Sequence, residues 1–429
     1  MYNRGESLGK HEGRSSGVGK LKVRRRPMYD LNHPRIRAAA PLNKWCVHSY
    51  YTLCPYAPDG SGRLLLAAAD LEGETGEVCV VSQKGELLHR FGKNKCESNF
   101  YHTGFWQTWS ADARWVYYQG GTMKEPKIIK HHLETGSETV MEGDMEGAPP
   151  FGEPIVSGLL GMLYAAGYGD GHYDLKKAPV PFAQRSRHGL FRYQPSTSST
   201  SLLLSVGDVL EMHPDREKLL SEDRRISGIP GQDDGLTLMC YCVRWNVQGT
   251  RCLFYFGNHC VDKKRGEPRL AYIFTADRQF RDIRMALDIS YDKPGVHWSW
   301  HPDGEHLIGY GPDPDNHKTM CLAQVAWDGS DYRKISAHKS GGHPSISPLD
   351  YNLLVTDEGT APGRVVFIDL RKDREVEAFT LPRTWGSDIP TGRNPFRVCH
   401  HPVFNREGTR VLVNAMPGRL SALYEISLG

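Results

Sequence analysis

The sequence predicts an all-β fold: a seven-bladed β-propeller in which four-stranded antiparallel blades surround a central channel. Short apolar or alternating runs, broken by Gly, Pro, Asn and Asp, recur along the chain and are typical of strands joined by turns. These runs group into seven strand–turn–strand units of roughly 40 to 60 residues, the size of one propeller blade. Helical periodicity is scarce. The best helical stretch is Asp208–Asp223, which we place in an excursion between strands.

The chain divides into an N-terminal extension, residues 1–40, and a propeller, residues 41–429. The blades start near residues 50, 102, 154, 236, 295, 341 and 397. A lone four-stranded unit cannot bury both of its faces, whereas seven units arranged radially bury them and leave only short edges. The third unit departs most from the repeat and has the longest insertion. Insertions in propellers map to one face, which is often the binding face.

Composition excludes several classes of function. The chain has 429 residues and a net charge of +3, which is too weak a field for a typical nucleic-acid-binding protein. Its ten cysteines are scattered without a CxxC pair, so we expect no secreted disulfide framework. No run approaches the length of a membrane helix, and the first residues lack the apolar core of a signal peptide. We therefore expect a cytoplasmic protein, or a secreted one if a signal was removed.

One position recurs in four successive units, five residues before the turn that joins two strands. Equivalent positions in repeated units occupy equivalent places in space, so these side chains should converge near the channel axis. Zinc prefers four ligands drawn from Cys and His. The sequence therefore predicts a structural Zn²⁺ site, with another divalent metal as an alternative. Its four ligands, and the turn residues that they precede, are Cys242 before Val247, His297 before Pro302, His343 before Pro348 and His401 before Arg406.

Two alternatives to this ligand set stay open. The four residues could be polar channel residues bonded to water or to the backbone. Other ligands could also compete, namely His400 or the pair His259 and Cys260. The same register in the first two units holds Leu53 and Trp106, which cannot bind a metal. Four protein ligands would leave no open position, so such a metal would be structural rather than catalytic.

The segments around these residues resemble a known group of proteins. The group is the seven-bladed β-propeller polysaccharide lyases, which include ulvan lyases, oligogalacturonate lyases and rhamnose–glucuronate lyases. The resemblance covers about residues 40–429 and is strongest in HWSWHPDG, GGHPSISP, HHPVF and the stretch from YHTGFWQTW to HGLFRY. It implies cleavage of a uronate-containing oligosaccharide or polysaccharide by β-elimination, with a metal at the channel. A similar propeller group is thought to hydrolyse rhamnose–glucuronate ends.

The resemblance also implies which residues carry the chemistry. A histidine and a tyrosine would handle protons, and an arginine would meet the uronate carboxylate. His102 opens the second unit at the place expected for the histidine, and Tyr168 in AAGYGDGHYD suits the tyrosine. Arg185 is the first choice for the carboxylate, because a guanidinium pairs bidentately with it. Further substrate-binding candidates are Arg187, Arg192, Arg244, His172 and His188.

One departure from the ulvan-lyase pattern matters. Where that pattern has a second histidine, this sequence has Gln119 in VYYQGG, and an amide cannot act as a base near neutral pH. Either Tyr168 handles the protons and Gln119 only orients the substrate, or lyase activity is absent. In the second case a glycoside hydrolase with His48 as the acid/base, or a non-catalytic glycan-binding propeller, becomes the alternative. A hydrolase usually needs a pair of carboxylates, and only Asp170 and Asp174 lie near the predicted site.

Overall fold

The strands pair with their neighbours in chain order and form seven separate sheets in the part of the chain that the structure describes. The structure is a computed structural model, and it describes residues 29–40, 43–97, 103–159, 162–163, 178–258, 265–359, 363–383 and 398–429. Six of the sheets have four antiparallel strands and one has three. This arrangement confirms the predicted seven-bladed β-propeller.

The blades follow one another along the chain from residue 45. Their strands are β2 (Trp45–Val47), β3 (Leu64–Asp70), β4 (Thr75–Val81) and β5 (Leu87–Lys95) in blade one; β6 (Thr108–Trp109), β7 (Trp115–Gly121), β8 (Pro126–His132) and β9 (Glu138–Glu142) in blade two; β10 (Ile155–Ser157), β11 (Gly189–Gln194) and β12 (Ser199–Ser205) in blade three; and β13 (Met239–Trp245), β14 (Arg251–Gly257), β15 (Ala271–Asp277) and β16 (Ile283–Asp288) in blade four. The remaining strands are β17 (Val296–Trp300), β18 (His306–Asp313), β19 (Asn316–Ala326) and β20 (Arg333–Ser336) in blade five; β21 (Ser345–Ile346), β22 (Leu353–Glu358), β23 (Gly363–Asp369) and β24 (Arg374–Leu381) in blade six; and β25 (Val403–Phe404), β26 (Arg410–Ala415) and β27 (Ala422–Ser427) in blade seven.

The ring closes through a strand that precedes the first blade. Strand β1 (Ile36–Ala38) pairs antiparallel with β27, and Ile36 stands opposite Ile426. Residues 36–38, assigned from the sequence to the N-terminal extension, are thus the outer strand of blade seven. Ile36 is buried in a cluster with Phe379 and Phe404, so the closing strand also contributes to the core between blades six and seven.

Blade three carries the predicted helical excursion. After β12 the chain forms α1 (Val206–Glu211) and α2 (Arg216–Ser227) before it enters blade four. Ser205 begins α1 with a capping box, in which its hydroxyl accepts from the Asp208 N–H at 3.0 Å and the Asp208 carboxylate accepts from the Ser205 N–H at 2.9 Å. The helices pack their apolar residues Val209 and Leu219 against the outer face of blade four.

A polar layer fills the seam between blade seven and blade one. His48 and His400 are fully buried there. Asn414 joins them, because its side-chain oxygen accepts from the His48 N–H at 3.0 Å and its main-chain carbonyl accepts from His400 Nδ1 at 2.7 Å. Neither ring nitrogen of His48 has a hydrogen-bond partner among the described residues. Burial lowers the pKa of each imidazole to about 4, so both rings are neutral near pH 7.

These two histidines predict that stability falls in mild acid. An unfolded histidine takes up a proton below about pH 6.5, whereas the buried rings resist protonation until about pH 4. The unfolded state therefore binds more protons in this window, and the free energy of unfolding rises with pH from about 4 to 6.5, by about 3 kcal/mol for each ring. Urea unfolding at several pH values measures this slope. His48→Gln should flatten it, while His317→Gln, at an exposed position on β19, should leave it unchanged. Equal slopes for wild type and His48→Gln would contradict the assignment.

Candidate functional site

A backbone irregularity recurs at the start of the inner strand in four blades. The register of the inner strand shifts between Tyr241 and Arg244 in blade four and between Val296 and Ser299 in blade five. Cys242 and His297 lie in these shifts with φ angles of 56° and 57°, and Trp106 and His401 have φ angles of 53° and 46°. Left-handed φ at a residue other than glycine costs about 1 kcal/mol or more, and a bulge re-aims the side chain that it carries. Of the four repeat positions found in the sequence, Cys242 and His297 thus lie in bulges and His401 shares their left-handed backbone, whereas His343 does not.

Three of the four predicted ligands meet at the axis. The ring centroids of His297 and His343 are 4.1 Å apart, and those of His343 and His401 are 4.3 Å apart. We call these three residues the histidine cluster. The fourth, Cys242, occupies the matching bulge of blade four. Electrostatic coupling places its thiol near the Arg244 guanidinium and the Tyr51 phenol.

Hydrogen bonds fix the orientation of two rings in the cluster. His297 Nδ1 donates to the carbonyls of Gly341 at 2.9 Å and Gly342 at 2.8 Å. His343 Nδ1 donates to the Asp357 carboxylate at 2.9 Å, and the His343 N–H donates to the same carboxylate at 2.7 Å. Position 342 must be glycine here, because a Cβ would collide with the main chain of Asp357. In both rings Nδ1 is occupied as a donor, which leaves Nε2 as the nitrogen with a lone pair.

The surroundings of the cluster favour a neutral His297 ring and an ionised Asp357 carboxylate. Burial, and then the neighbouring His343, lowers the pKa of His297 to about 3. For Asp357, burial alone would raise the pKa, but interaction with His343 and the Arg383 guanidinium holds it well below the usual range. Asp357 is almost completely buried, so it is a fixed negative charge behind His343.

The donor set is chemically suited to a divalent metal. A histidine that donates Nδ1–H to a carboxylate or a carbonyl, and so presents Nε2, is the usual arrangement behind a metal ligand. Among the described residues, however, no three His, Cys, Asp or Glu side chains already stand in coordination geometry. The rings of the histidine cluster would have to rotate so that their Nε2 atoms converge on one point.

An insertion in blade one covers the histidine cluster. Val47 pairs with Ala67, and Tyr56 pairs with Leu64. Between these two pairs the chain advances nine residues on the inner strand but only three on its partner strand. The extra residues loop towards the axis and carry Tyr50 and Tyr51, which we call the tyrosine plug.

The tyrosine plug contacts all three rings of the cluster. The Tyr50 ring lies 5.0 Å from that of His401 and 5.7 Å from that of His343. The Tyr51 hydroxyl donates to the His297 carbonyl at 2.7 Å. Burial raises the pKa of Tyr51 far above its usual value, so this hydroxyl stays protonated. The plug therefore closes one side of the cluster with aromatic rings.

Arg244, a predicted substrate-binding residue, lies under the plug. Its guanidinium carbon is 5.0 Å from the Tyr50 ring centroid and 5.9 Å from that of Tyr51, within range for cation–π contact. The same guanidinium donates to the Trp298 carbonyl. Arg244 thus ties the plug to blades four and five and leaves a buried positive charge near the axis.

Beyond the plug the channel opens into a cavity of about 670 Å³, which we call the channel cavity. Its lining residues follow the cluster positions along the inner strands, such as Trp245 after Cys242 and Trp300 after His297. The channel cavity lies next to the histidine cluster and extends farther along the inner strands, because its lining includes Tyr51 of the plug and Pro344, which follows His343. Glu146 lines the cavity near Arg244. Burial raises the pKa of this carboxyl, although the Arg244 charge acts in the opposite direction.

Gln119 and His188 are used by the fold itself. The Gln119 amide is buried, donates to the carbonyls of Gly120 and Lys127 at 3.1 Å and accepts from the Met145 N–H at 2.8 Å. His188 is buried, and its Nε2 donates to the Phe182 carbonyl at 3.1 Å. Neither side chain lines the channel cavity or contacts the histidine cluster.

The predicted arginines of blade three separate in space. Arg185 forms an ion pair with Asp223 of α2, so its guanidinium already holds a carboxylate of this chain and anchors the helical excursion. Arg187 is exposed and donates to Gln184 Oε1 at 2.5 Å. Arg192 lies on β11 and lines a second, smaller pocket. The structure brings none of the three to the histidine cluster.

The remaining predicted residues are either outside the described part of the chain or buried away from both pockets. His102, Tyr168 and His172, together with the competing ligands His259 and Cys260, lie outside the described residues. His48, the alternative acid/base, is fully buried in the seam, with its ring 6.3 Å from that of His401. It lines neither pocket.

Sequence reasoning missed three residues of the candidate site, namely Tyr50, Tyr51 and Asp357. The tyrosine plug had no signal, because an insertion within a strand cannot be told from a turn in one sequence. Asp357 had a weak signal, since it is a carboxylate inside the apolar strand β22 of the blade that begins with the GGHP segment. A buried carboxylate in a strand needs a partner, and the preceding histidine supplies it.

In the described part of the chain, no helix has both the length and the apolar character needed to cross a membrane. No protein-family model matches the sequence, and no curated protein matches it. Solved structures resemble it in fold. An oligogalacturonate lyase in complex with manganese aligns over 92% of this chain and 93% of that chain, with a TM-score of 0.62 and 14% identity. An oligogalacturonate lyase from Vibrio parahaemolyticus has the same TM-score, identity and coverage. At this identity the similarity shows a shared propeller fold.

Proposed function

We propose that this protein is a lyase that cleaves a uronate-containing oligosaccharide by β-elimination at the histidine-cluster end of the channel. The observation that carries the proposal is the meeting of His297, His343 and His401 at the axis, with Asp357 behind His343. The fold similarity to oligogalacturonate lyases supports it. Oligogalacturonate is therefore the first substrate to test. Ulvan-type and rhamnose–glucuronate glycans are the finer alternatives that the sequence resemblance implies.

β-Elimination needs three things from a site. A uronate carries a weakly acidic C5 proton, so its carboxylate must be neutralised as negative charge develops on it. A base must remove the proton, and an acid must protonate the leaving oxygen. The histidine cluster supports the first requirement. His102 and Tyr168 remain the predicted proton-transfer residues.

A divalent metal fits the cluster better than a substrate carboxylate alone. His297, His343 and His401 would hold it through Nε2, and Asp357 would position His343. When bound, such an ion would neutralise the uronate carboxylate and so favour loss of the C5 proton. Histidine ligands suit several first-row divalent ions, so the predicted zinc is only one candidate, and manganese is the ion in one of the similar structures.

The chain's own residues would prepare this site in two ways. The tyrosine plug packs against the cluster, so its aromatic rings would exclude water from that side of a bound substrate. Arg244 adds a fixed positive charge beneath the plug, which favours an anionic substrate at the axis. If His297, His343 and His401 alone held the ion, a coordination position would stay open for substrate.

One prediction concerns metal binding. Wild-type protein should bind one Mn²⁺, and the binding is measured as the loss of the electron paramagnetic resonance signal of the free ion. His343→Ala should abolish this binding. Asp357→Asn should weaken it by roughly 10- to 100-fold, because the amide no longer holds the imidazole with a charge. His317→Ala, at an exposed position, is the control. Unchanged Mn²⁺ binding in His343→Ala would rule out the cluster as the metal site.

The second prediction concerns the reaction. Oligogalacturonate, ulvan and rhamnose-capped glucuronate oligosaccharides are each incubated with the protein, and the ultraviolet absorbance of the unsaturated uronate is followed. We expect a rise with at least one substrate, lost in His401→Ala and after chelation of the metal. His102→Ala and Tyr168→Phe test the proton-transfer residues on the same substrate. Release of reducing sugar without absorbance would replace the lyase with the hydrolase alternative, and neither signal would leave a glycan-binding propeller.

A further inference from the structure

A second pocket, of about 420 Å³, lies between blades three and four and is lined by three arginines. We call it the arginine pocket. Arg192 enters it from β11, while Arg278 and Arg281 enter from the hairpin that joins β15 to β16. We propose that the arginine pocket binds an oxyanion group, namely a phosphate, sulfate or carboxylate. This proposal is independent of the lyase function.

The three guanidinium groups have no acidic partner among the described residues, although acidic residues are close by. Arg251 and Arg284, just outside the pocket, both pair with Asp282, at 3.0 Å and 2.8 Å. Asp277 accepts the backbone N–H of Arg281 at 2.7 Å and so shapes the hairpin. The carboxylates of this hairpin are thus committed elsewhere, and the positive charge in the pocket is left uncompensated.

The pocket wall holds the arginines in place and adds donors. The Arg278 guanidinium carbon lies 3.6 Å from the Phe151 ring centroid, and Phe151 packs edge-to-face on Trp245 at 4.9 Å. Stacking on an aromatic face fixes the plane of a guanidinium and leaves its N–H edge available. Arg192 Nε and Trp245 Nε1 are both buried without a hydrogen-bond partner. Buried donors without partners are rare in proteins, and an anion in the pocket would satisfy them.

The chemistry of the lining selects the charge of the ligand. The polar lining groups are the guanidinium groups of Arg192, Arg278 and Arg281, the indole N–H of Trp245 and the amide of Gln279. A planar guanidinium matches carboxylate, phosphate and sulfate in a bidentate way. No carboxylate is among the described residues that line the pocket, so a cation would meet like charge there. Val156 and Pro154 make the rest of the wall apolar, which suits an anionic group carried on an organic molecule.

The arginine pocket is separate from the histidine cluster. It shares Trp245 with the channel cavity, but none of its described lining residues belongs to the histidine cluster or to the tyrosine plug. A ligand there would not meet the lyase site, so its binding can be measured apart from activity.

The test is calorimetric titration of the full chain with inorganic phosphate, inorganic sulfate and monomeric galacturonate, which represents an acidic glycan. We expect at least one anion to bind, with affinity that falls as NaCl is added. Arg192→Gln and Arg278→Gln should each weaken binding at least tenfold. Arg284→Gln removes an equal charge from the same hairpin outside the pocket and should bind as wild type does. His343→Ala should also bind normally, which separates this site from the lyase site.

Each outcome decides the proposal. Preference for phosphate or sulfate identifies a free or ester-linked oxyanion, and preference for galacturonate identifies a glycan carboxylate. Arg278→Lys keeps the charge but not the planar fork, and it should fall between wild type and Arg278→Gln. Thermal melting of every variant shows that it is folded. The proposal is overturned if none of the three anions binds wild type, or if Arg284→Gln loses as much affinity as Arg278→Gln.

Discussion

The contact between the tyrosine plug and the histidine cluster depends on the closure of the ring by β1. Strand β1 lies before the first blade in sequence and completes the last blade in space, so blades one and seven are held side by side. Only then does the tyrosine plug of blade one meet His401 of blade seven. The fully buried His48 and His400 fill the same seam. Asn414 accepts hydrogen bonds there from the His48 backbone N–H and from His400 Nδ1. Any change that opens this seam would separate the plug from the cluster, so the stability of the seam and the geometry of the site cannot vary independently.

The tyrosine plug lies between two chemically different groups of residues. On one side, three imidazoles stand together with the buried Asp357 carboxylate behind His343, an arrangement that favours a cation. On the other, the channel cavity and the arginine pocket carry aromatic rings and guanidinium groups, an arrangement that favours an anion or a ring. Arg244 lies between them, stacked on Tyr50 and bonded to the Trp298 carbonyl. Its charge also acts on the cluster, because it contributes to the lowered pKa of His297.

The repeat made the fold and the histidine cluster predictable from the sequence. Seven units of similar length imply a ring, and one register position carried into successive inner strands implies convergence, as His297, His343 and His401 show. Features that break the repeat were not predictable. The insertion that carries Tyr50 and Tyr51 departs from the pattern of its own strand. Arg185 and Arg192 lie near one another in sequence, yet one is paired with α2 and the other faces a different pocket, because their direction depends on packing between blades.

The different fates of these arginines show how a charge becomes available for a ligand. Arg185 meets Asp223, and that ion pair fastens the helical excursion to blade three. Arg278, in contrast, is held by the face of Phe151, which fixes the guanidinium without neutralising it. A carboxylate partner neutralises the charge of an arginine and occupies its N–H donors, whereas an aromatic partner leaves both available. A group of arginines without acidic partners, of which Arg278 is stacked, therefore needs solvent or a ligand to supply the missing acceptors. Trp245 Nε1 and Arg192 Nε, buried and without partners, favour a ligand over bulk water.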